Sequence, residues 1–251
     1  MEFYLSIKLH GQVRMSFNLY MPNAGSHNIY HFLIYMLSNL KRLSGDVPDI
    51  IYIHIGAKFV EDILRAIYHK TTILDSEKRH SSIFTTLGSH KTINRNVDGI
   101  SEDYFVFLNN ILTPHLFPII TKKKIYLSRD DSKYRRVLNE QEFLELNPDV
   151  QKIVLSEYSI FQQLSICNNA DIIIAPHGAG LVNTICCRPG TRIIEINTHA
   201  MIPLTHFSQI SKALGLNHIR YTDTKEVKNI HSRTEYDILL LNLESITAMI
   251  S

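Results

Sequence analysis

From residue 124 onward, short apolar runs alternate with amphipathic segments. KIYLSR (124–129), KIVLSE (152–157), DIIIA (171–175), RIIEIN (192–197) and HIRYTD (218–223) read as strands. Between them NEQEFLEL (139–146), SIFQQLSICNNA (159–170), a segment from about Gly180, and LTHFSQISKALG (204–215) carry apolar residues at helical spacing. Strands that are apolar on both faces, separated by helices, belong in a parallel sheet covered on both sides. The pattern predicts a doubly wound α/β domain.

The first half is less regular. FYLSIKL (3–9) and VRMSFNLYM (13–21) read as strands around HGQ, NIYHFLIYMLSNLKRL (28–43) as a helix, DIIYIHI (49–55) as a strand and KFVEDILRAIYHK (58–70) as an amphipathic helix. Residues 75–100 are polar and aperiodic and read as loops. TPHLFP (113–118), with two prolines, is the candidate linker. The expected organisation is two Rossmann-like domains, 1–117 and 118–251.

Ligands of open parallel sheets bind beyond the carboxyl ends of the strands. In the second half those ends are Arg129, Glu157, His177 and the Glu195–Asn197 pair. Each is polar at the end of an apolar strand, and together they mark one edge as a site. The stretch DIIIAPHGAGLVN (171–183) adds glycines where a helix begins. Unpaired N–H groups at a helix start, with no Cβ in the way, suit an anion such as a diphosphate. The alternative is a tight strand-to-helix turn capped by the histidine.

Asn139 with Glu142, and Ser159 with Gln162, read as helix-capping pairs. Gln163 falls outside that pattern and either faces the crevice or does not. Arg135 and Arg136 are either solvated charges or a cationic pair suited to phosphate.

Composition narrows the picture. The net charge is +2, with basic residues spread along the chain, which does not point to nucleic acid. Three cysteines, Cys167, Cys186 and Cys187, make neither a disulfide framework nor a zinc pattern, and read as reduced packing residues. No signal peptide, membrane span or glycosylation sequon is read, so a cytoplasmic location is expected. No Asp-x-Asp pair, Gly-x-Gly-x-x-Gly, Walker loop or Gly-x-Ser-x-Gly occurs, which argues against several common nucleotide enzymes and serine hydrolases.

Three blocks carry a family resemblance. NIYHFLIYML (28–37) is similar to an Asn-x-x-His helix of glycosyltransferase family 61. YLSRDDSKYRRVLNEQEF (126–143) resembles its Ser-Arg and Arg-x-x-Asn-Glu block. LSEYSIFQQLSICNNADIIIAPHGAGLVNTICCRPGTRIIEIN (155–197) resembles its core almost throughout. The resemblance implies an inverting transferase of the GT-B type, with two Rossmann-like domains facing a cleft, and the missing Asp-x-Asp pair makes it an expected metal-independent one. It implies a UDP-sugar donor of the xylose or N-acetylglucosamine type, a glycan hydroxyl acceptor and no cofactor, in surface, capsular or viral glycan synthesis. Carried over, Arg129 and Arg136 neutralise the diphosphate. His177, Gly178, Ala179, Gly180 and Leu181 cradle it, Gln163 joins the donor site and Glu195 reaches the nucleoside. Tyr35 stands where the family commonly has an acidic residue, which leaves the general base open. His31 is the leading candidate, with Asp46, Asp62 and Asp75 as rivals, and His31 can equally be a buried helix residue. A nucleotide-sugar-binding module without activity is the competing reading.

Overall fold

A computed structural model describes residues 4–7, 13–16, 18–21, 28–37, 50–53, 55–75, 101–198, 204–228 and 236–251. The chain divides into two compact units, Met1–Ile100 and Ser101–Ser251. Residues 38–43 of the expected first helix, the loops over 76–100 and Asp46 lie outside the described residues.

In the first unit, β1 (Tyr4–Ile7) and β2 (Val13–Ser16) form an antiparallel ribbon, as the two runs around HGQ lead one to expect. The longer run over 13–21 is two strands, because β3 (Asn18–Met21) joins a different sheet. It pairs in parallel with β4 (Ile50–Ile53), which pairs with β5 (Thr72–Asp75). Between β3 and β4, α1 (Ile29–His31) passes directly into a π-helical turn, Phe32–Met36, closed by the Leu37 N–H on the Phe32 carbonyl at 3.0 Å. Phe32, Leu33, Ile34 and Leu37 are fully buried. In α2 (Lys58–Ile67), Val60, Ile63 and Leu64 are buried at helical spacing. Lys58–Asp62 (2.6 Å) and Arg65–Glu61 (2.7 Å) pair one turn apart on its outer side.

The second unit opens with α3 (Glu102–Leu112), a helix the sequence pattern did not announce. A five-stranded, all-parallel, Rossmann-like sheet follows: β6 (Lys124–Ser128), β7 (Val150–Val154), β8 (Ile172–Pro176), β9 (Arg192–Ile196) and β10 (Asn217–Tyr221). Helices α4 (Glu140–Leu146), α5 (Ile160–Asn169) and α6 (His206–Ala213) lie between strands. A 3₁₀-helix, Ala179–Cys186, connects β8 to β9. The spatial order is β10-β9-β8-β6-β7, so the winding reverses between β6 and β8.

Tyr126, Ile174, Ile194, Ile196 and Tyr221 pack on one side of the sheet with Phe143. That layer is completed by elements the pattern did not reveal, β12 (Tyr236–Leu240) and α7 (Leu243–Ala248), with β11 (Thr224–Lys228) paired antiparallel to β12. On the other side, α3, α5, α6 and the 3₁₀-helix pack on one another. No helix among the described residues is long and apolar enough to cross a membrane.

Two expectations change at this level. KIVLSE is not a strand to its end: β7 stops at Val154 and Leu155–Glu157 form a 3₁₀ turn, which leaves Glu157 exposed beyond the sheet. Asn139 does not cap α4. Its amide donates to the Leu240 carbonyl and accepts from the Leu240 N–H, both at 3.0 Å, and so clamps β12 as another strand would. Ser159 and Gln162 do form a capping box.

Candidate anion site at the sheet switch point

In a doubly wound sheet the strand ends diverge where the winding reverses, and a ligand crevice opens there. Here β6 and β8 pair only from Lys124–Ile172 to Tyr126–Ile174, although both strands continue further. Beyond the last pair, β6 delivers Arg129 and β8 delivers His177 and Gly178.

Arg129 is held by its own loop: Nε donates to the Tyr134 carbonyl (3.0 Å) and Nη2 to Ser132 Oγ (2.6 Å). Nη1 lies against Gly178, where an added Cβ would come within 2.2 Å of it. Gly178 therefore serves the arginine, leaving room for a guanidinium on the backbone. Gly180 has a different reason, since a Cβ there would meet Leu155 Cδ1 at 2.7 Å.

Arg135 is the described non-glycine residue with a left-handed backbone, φ 59°. Such a conformation stores strain of roughly 1–3 kcal/mol and is held in place by its surroundings. The hold is visible. Residues 135–138 lie along β12, with Arg135 N–H on the Tyr236 carbonyl (2.7 Å) and Ile238 N–H on the Arg136 carbonyl (2.8 Å). The Arg135 Nη1 then donates to the His177 carbonyl at 2.9 Å. Burial lowers the pKa of Arg129 and, less strongly, the neighbouring charge of Arg135 lowers it further. Burial also lowers Arg135. Two partly buried guanidiniums that oppose each other form a site that an anion relieves.

The backbone continues the pattern. The N–H groups of Gly178, Ala179 and Gly180 have no backbone acceptor among the described residues, whereas Leu181 N–H bonds the Gly178 carbonyl at 3.0 Å. Asn109 and Asn168 side chains satisfy the Ile185 and Cys186 carbonyls at the other end of the 3₁₀-helix. The donors left open by the backbone thus lie at the crevice end of this 3₁₀-helix.

His177 is buried, and its Nδ1 lies 2.5 Å from Glu195 Oε1. The second oxygen, Oε2, lies 2.8 Å from His218 Nε2 and 3.7 Å from Arg220 Nε. Burial pushes the Glu195 carboxyl up, yet the hydrogen bonds of the two histidines, and their charges once protonated, outweigh it and hold the pKa down at about 2. The group is a carboxylate, so both ring nitrogens facing it donate. Asn197, just past β9, is fully buried, and neither atom of its side-chain amide has a hydrogen-bond partner among the described residues. An orphan buried amide is unfavourable by roughly 1–3 kcal/mol, a deficit that a polar ligand or water at this edge would remove.

Several site residues read from the sequence have other positions. Arg136 is exposed and pairs with Asp237 (2.8 Å), so Arg135, its neighbour, is the arginine brought to His177. Glu195 is buried with both oxygens engaged, and buttresses His177 instead of reaching outward. Leu181 is buried and its N–H is already bonded, so it offers no open donor beside those of 178–180. Gln163 does not face the crevice as a free group. Its Nε2 donates to the Leu155 and Tyr158 carbonyls (2.9 and 3.0 Å), and its Oε1 accepts from Asn183 at 3.3 Å. Cys167, Cys186 and Cys187 are buried, with burial raising each thiol pKa, to about 12 for Cys167. They are packing groups.

In the first unit, Asn28 Oδ1 accepts from the N–H groups of Tyr30 (2.9 Å) and His31 (3.3 Å). The Asn-x-x-His spacing is therefore a helix cap that sets His31 in the first turn. His31 is exposed, which removes the buried-histidine reading. Asp62 is tied to Lys58, and Asp75 ends β5. Of the residues the sequence reading passed over, His218 and Arg220 had a usable signal. In neighbouring parallel strands they share a face with Glu195, and Arg220 pairs directly opposite it. Nothing in the adjacent pair Arg135–Arg136 told which one turns inward.

The glycosyltransferase 61 profile matches residues 18–194, well over half of the chain. The chain belongs to glycosyltransferase family 61. An EGF domain-specific O-linked N-acetylglucosamine transferase of Drosophila melanogaster is 40% identical over 83 residues. That stretch covers 31% of this chain and 16% of the relative.

Proposed function

We propose that the chain is an inverting transferase of the GT-B type that uses a UDP-sugar and binds the donor's diphosphate at the β6–β8 switch point. The observation that carries this reading is the convergence of Arg129 and Arg135 on the His177–Gly178 backbone beside free N–H groups. Fixed positive charge at that position binds the ground-state diphosphate. It also stabilises the charge that develops as the sugar–phosphate bond breaks. Two arginines, a histidine and a helix start supply that charge without a metal ion, which supports a metal-independent reaction. The relative's name points to N-acetylglucosamine as the first donor sugar to try, with xylose as the second.

Inversion requires a base for the acceptor hydroxyl. His31, exposed in the first turn of α1 and followed by a π-helical turn of the kind enriched at functional sites, is our assignment. Its imidazole is the side chain suited to proton acceptance near neutral pH. The acceptor is a glycan hydroxyl, in surface, capsular or viral glycan synthesis, and the setting is cytoplasmic.

The test is UDP release from UDP-N-acetylglucosamine, UDP-xylose and UDP-glucose, with and without glycan acceptors and with and without EDTA. Turnover that persists in chelator supports the proposal. Donor binding without turnover on any acceptor favours the inactive binding module, and restoration only by manganese overturns metal independence. If none of the three UDP-sugars binds, the donor-site assignment is wrong.

A further inference from the structure

The carboxylate behind His177 has a consequence for the ligand in front of it. Glu195 is 1% exposed, so its charge depends on its donors: His177 Nδ1 at 2.5 Å, His218 Nε2 at 2.8 Å and, more distantly, Arg220 Nε. His218 is fixed in turn by Ser211 Oγ, 2.9 Å from its Nδ1. The His177 ring is also walled by Phe207 (centroids 5.1 Å, edge-on) and His206 (6.5 Å) on α6. Rotating it would put a ring carbon against a buried carboxylate, which loses a charge-assisted hydrogen bond. The ring is held with its proton on Nδ1. The remaining nitrogen, Nε2, has no hydrogen-bond partner among the described residues. In the neutral ring Nε2 is a lone pair, which repels phosphate oxygen. Arg129 and Arg135 flank the same backbone, and both favour an arriving anion.

We propose that Glu195 and His218 are positioning residues that make His177 a proton-taking contact. With Nδ1–H anchored on Glu195, Nε2 takes a proton from solvent as the diphosphate binds, and the imidazolium then donates to it. Donor binding is thereby coupled to proton uptake. This inference rests on the donor-site reading above. The charged groups around the ring are Glu195 from β9, His218 and Arg220 from β10, His206 from α6, and Arg129 and Arg135 from the segment after β6.

The probe is UDP-N-acetylglucosamine, whose diphosphate diester keeps its charge across the range of about pH 5–9 over which imidazoles titrate. Calorimetry in two buffers of different ionisation enthalpy counts protons taken up on binding, and ¹⁵N spectra of histidine-labelled protein report the tautomer with or without ligand. The expected results are Nδ1–H at neutral His177, net proton uptake on binding, and affinity falling by up to about tenfold per pH unit on the alkaline side. Glu195→Gln and His218→Leu reduce the uptake, and His218→Gln, which keeps an N–H toward Glu195, restores it. An Nε2–H tautomer in the wild type overturns the positioning role, as does binding with no proton uptake at any pH. Both are read on unaltered protein, whatever the variants do to folding. Failure of UDP and the UDP-sugar to bind at all removes the donor site itself. The tautomer spectrum distinguishes that failure from a misplaced His177 proton.

Discussion

Arg129 occupies the space that a side chain at position 178 would need, so one methyl group tests the site. In Gly178→Ala the new Cβ would lie 2.2 Å from Arg129 Nη1, and the guanidinium must leave the crevice. We expect UDP affinity to fall by roughly tenfold to a hundredfold, the worth of one charge-assisted contact, with little change in melting temperature. Gly180→Ala meets only the tip of Leu155 and should leave UDP affinity near wild type when both are titrated by calorimetry. A second residue-level prediction concerns acid. The Glu195 carboxyl is at about 2 in the fold and 4.5 as a free side chain. A folded pKa below the unfolded one means stability that is complete above 4.5 and lost as pH falls toward 2. Its size is about 3 kcal/mol. Denaturant melts across this window should decline more steeply for the wild type than for Glu195→Gln, and parallel slopes would remove the carboxylate's role. His177 and Arg129 were legible in the sequence as strand-end residues, and Gly178 as a glycine where a helix begins. The direction in which Glu195 faces was not, because the same alternation admits an outward donor contact or an inward buttress. The two histidines that decide it come from other strands.

Elements were legible where their pattern is strong. All five parallel strands of the second unit and the helices between them follow from short apolar runs and helical spacing, with ends displaced by a few residues. The pair of β11 and β12 was not, since TKEVK alternates weakly and the buried side of β12 is defined by contact with Val137 and the sheet. Nor was α3, which follows directly on a polar, aperiodic stretch. Asn139 shows why such cases resist reading: an asparagine before a helix serves equally as a cap or as a clamp, and only the partner strand decides. The clamp matters for the site because the backbone of residues 135–138 rides on β12. Asn139→Ala removes both bonds to Leu240 and leaves buried backbone groups unpaired, at roughly 1–3 kcal/mol of stability. We expect faster hydrogen exchange at the Leu240 and Ile238 amides and a weaker grip on UDP through Arg135. Unchanged exchange at Leu240 would show that the hairpin holds itself.

For the molecule as a whole, donor binding and proton abstraction are assigned to different units and should separate by mutation. His31→Ala is expected to lower turnover by roughly 10²–10⁴-fold while leaving UDP affinity close to wild type. Near-normal turnover in His31→Ala, with loss in an Asp46, Asp62 or Asp75 variant, would make the base a carboxylate. The family was legible from three blocks of sequence, whereas the base was not, because Tyr35 breaks the expected acidic position and His31 by itself says nothing about exposure. In our proposal Arg129 and Arg135, converging on the β8 end, hold the donor's diphosphate. Its most direct test is calorimetric titration of UDP into wild type, Arg135→Ala and Arg136→Ala. Arg135→Ala should bind at least about tenfold more weakly, while Arg136→Ala, which loses only an exposed pair with Asp237, should bind within about threefold of wild type. Wild-type affinity in Arg135→Ala, with the loss appearing in Arg136→Ala, would place the diphosphate away from the β8 end.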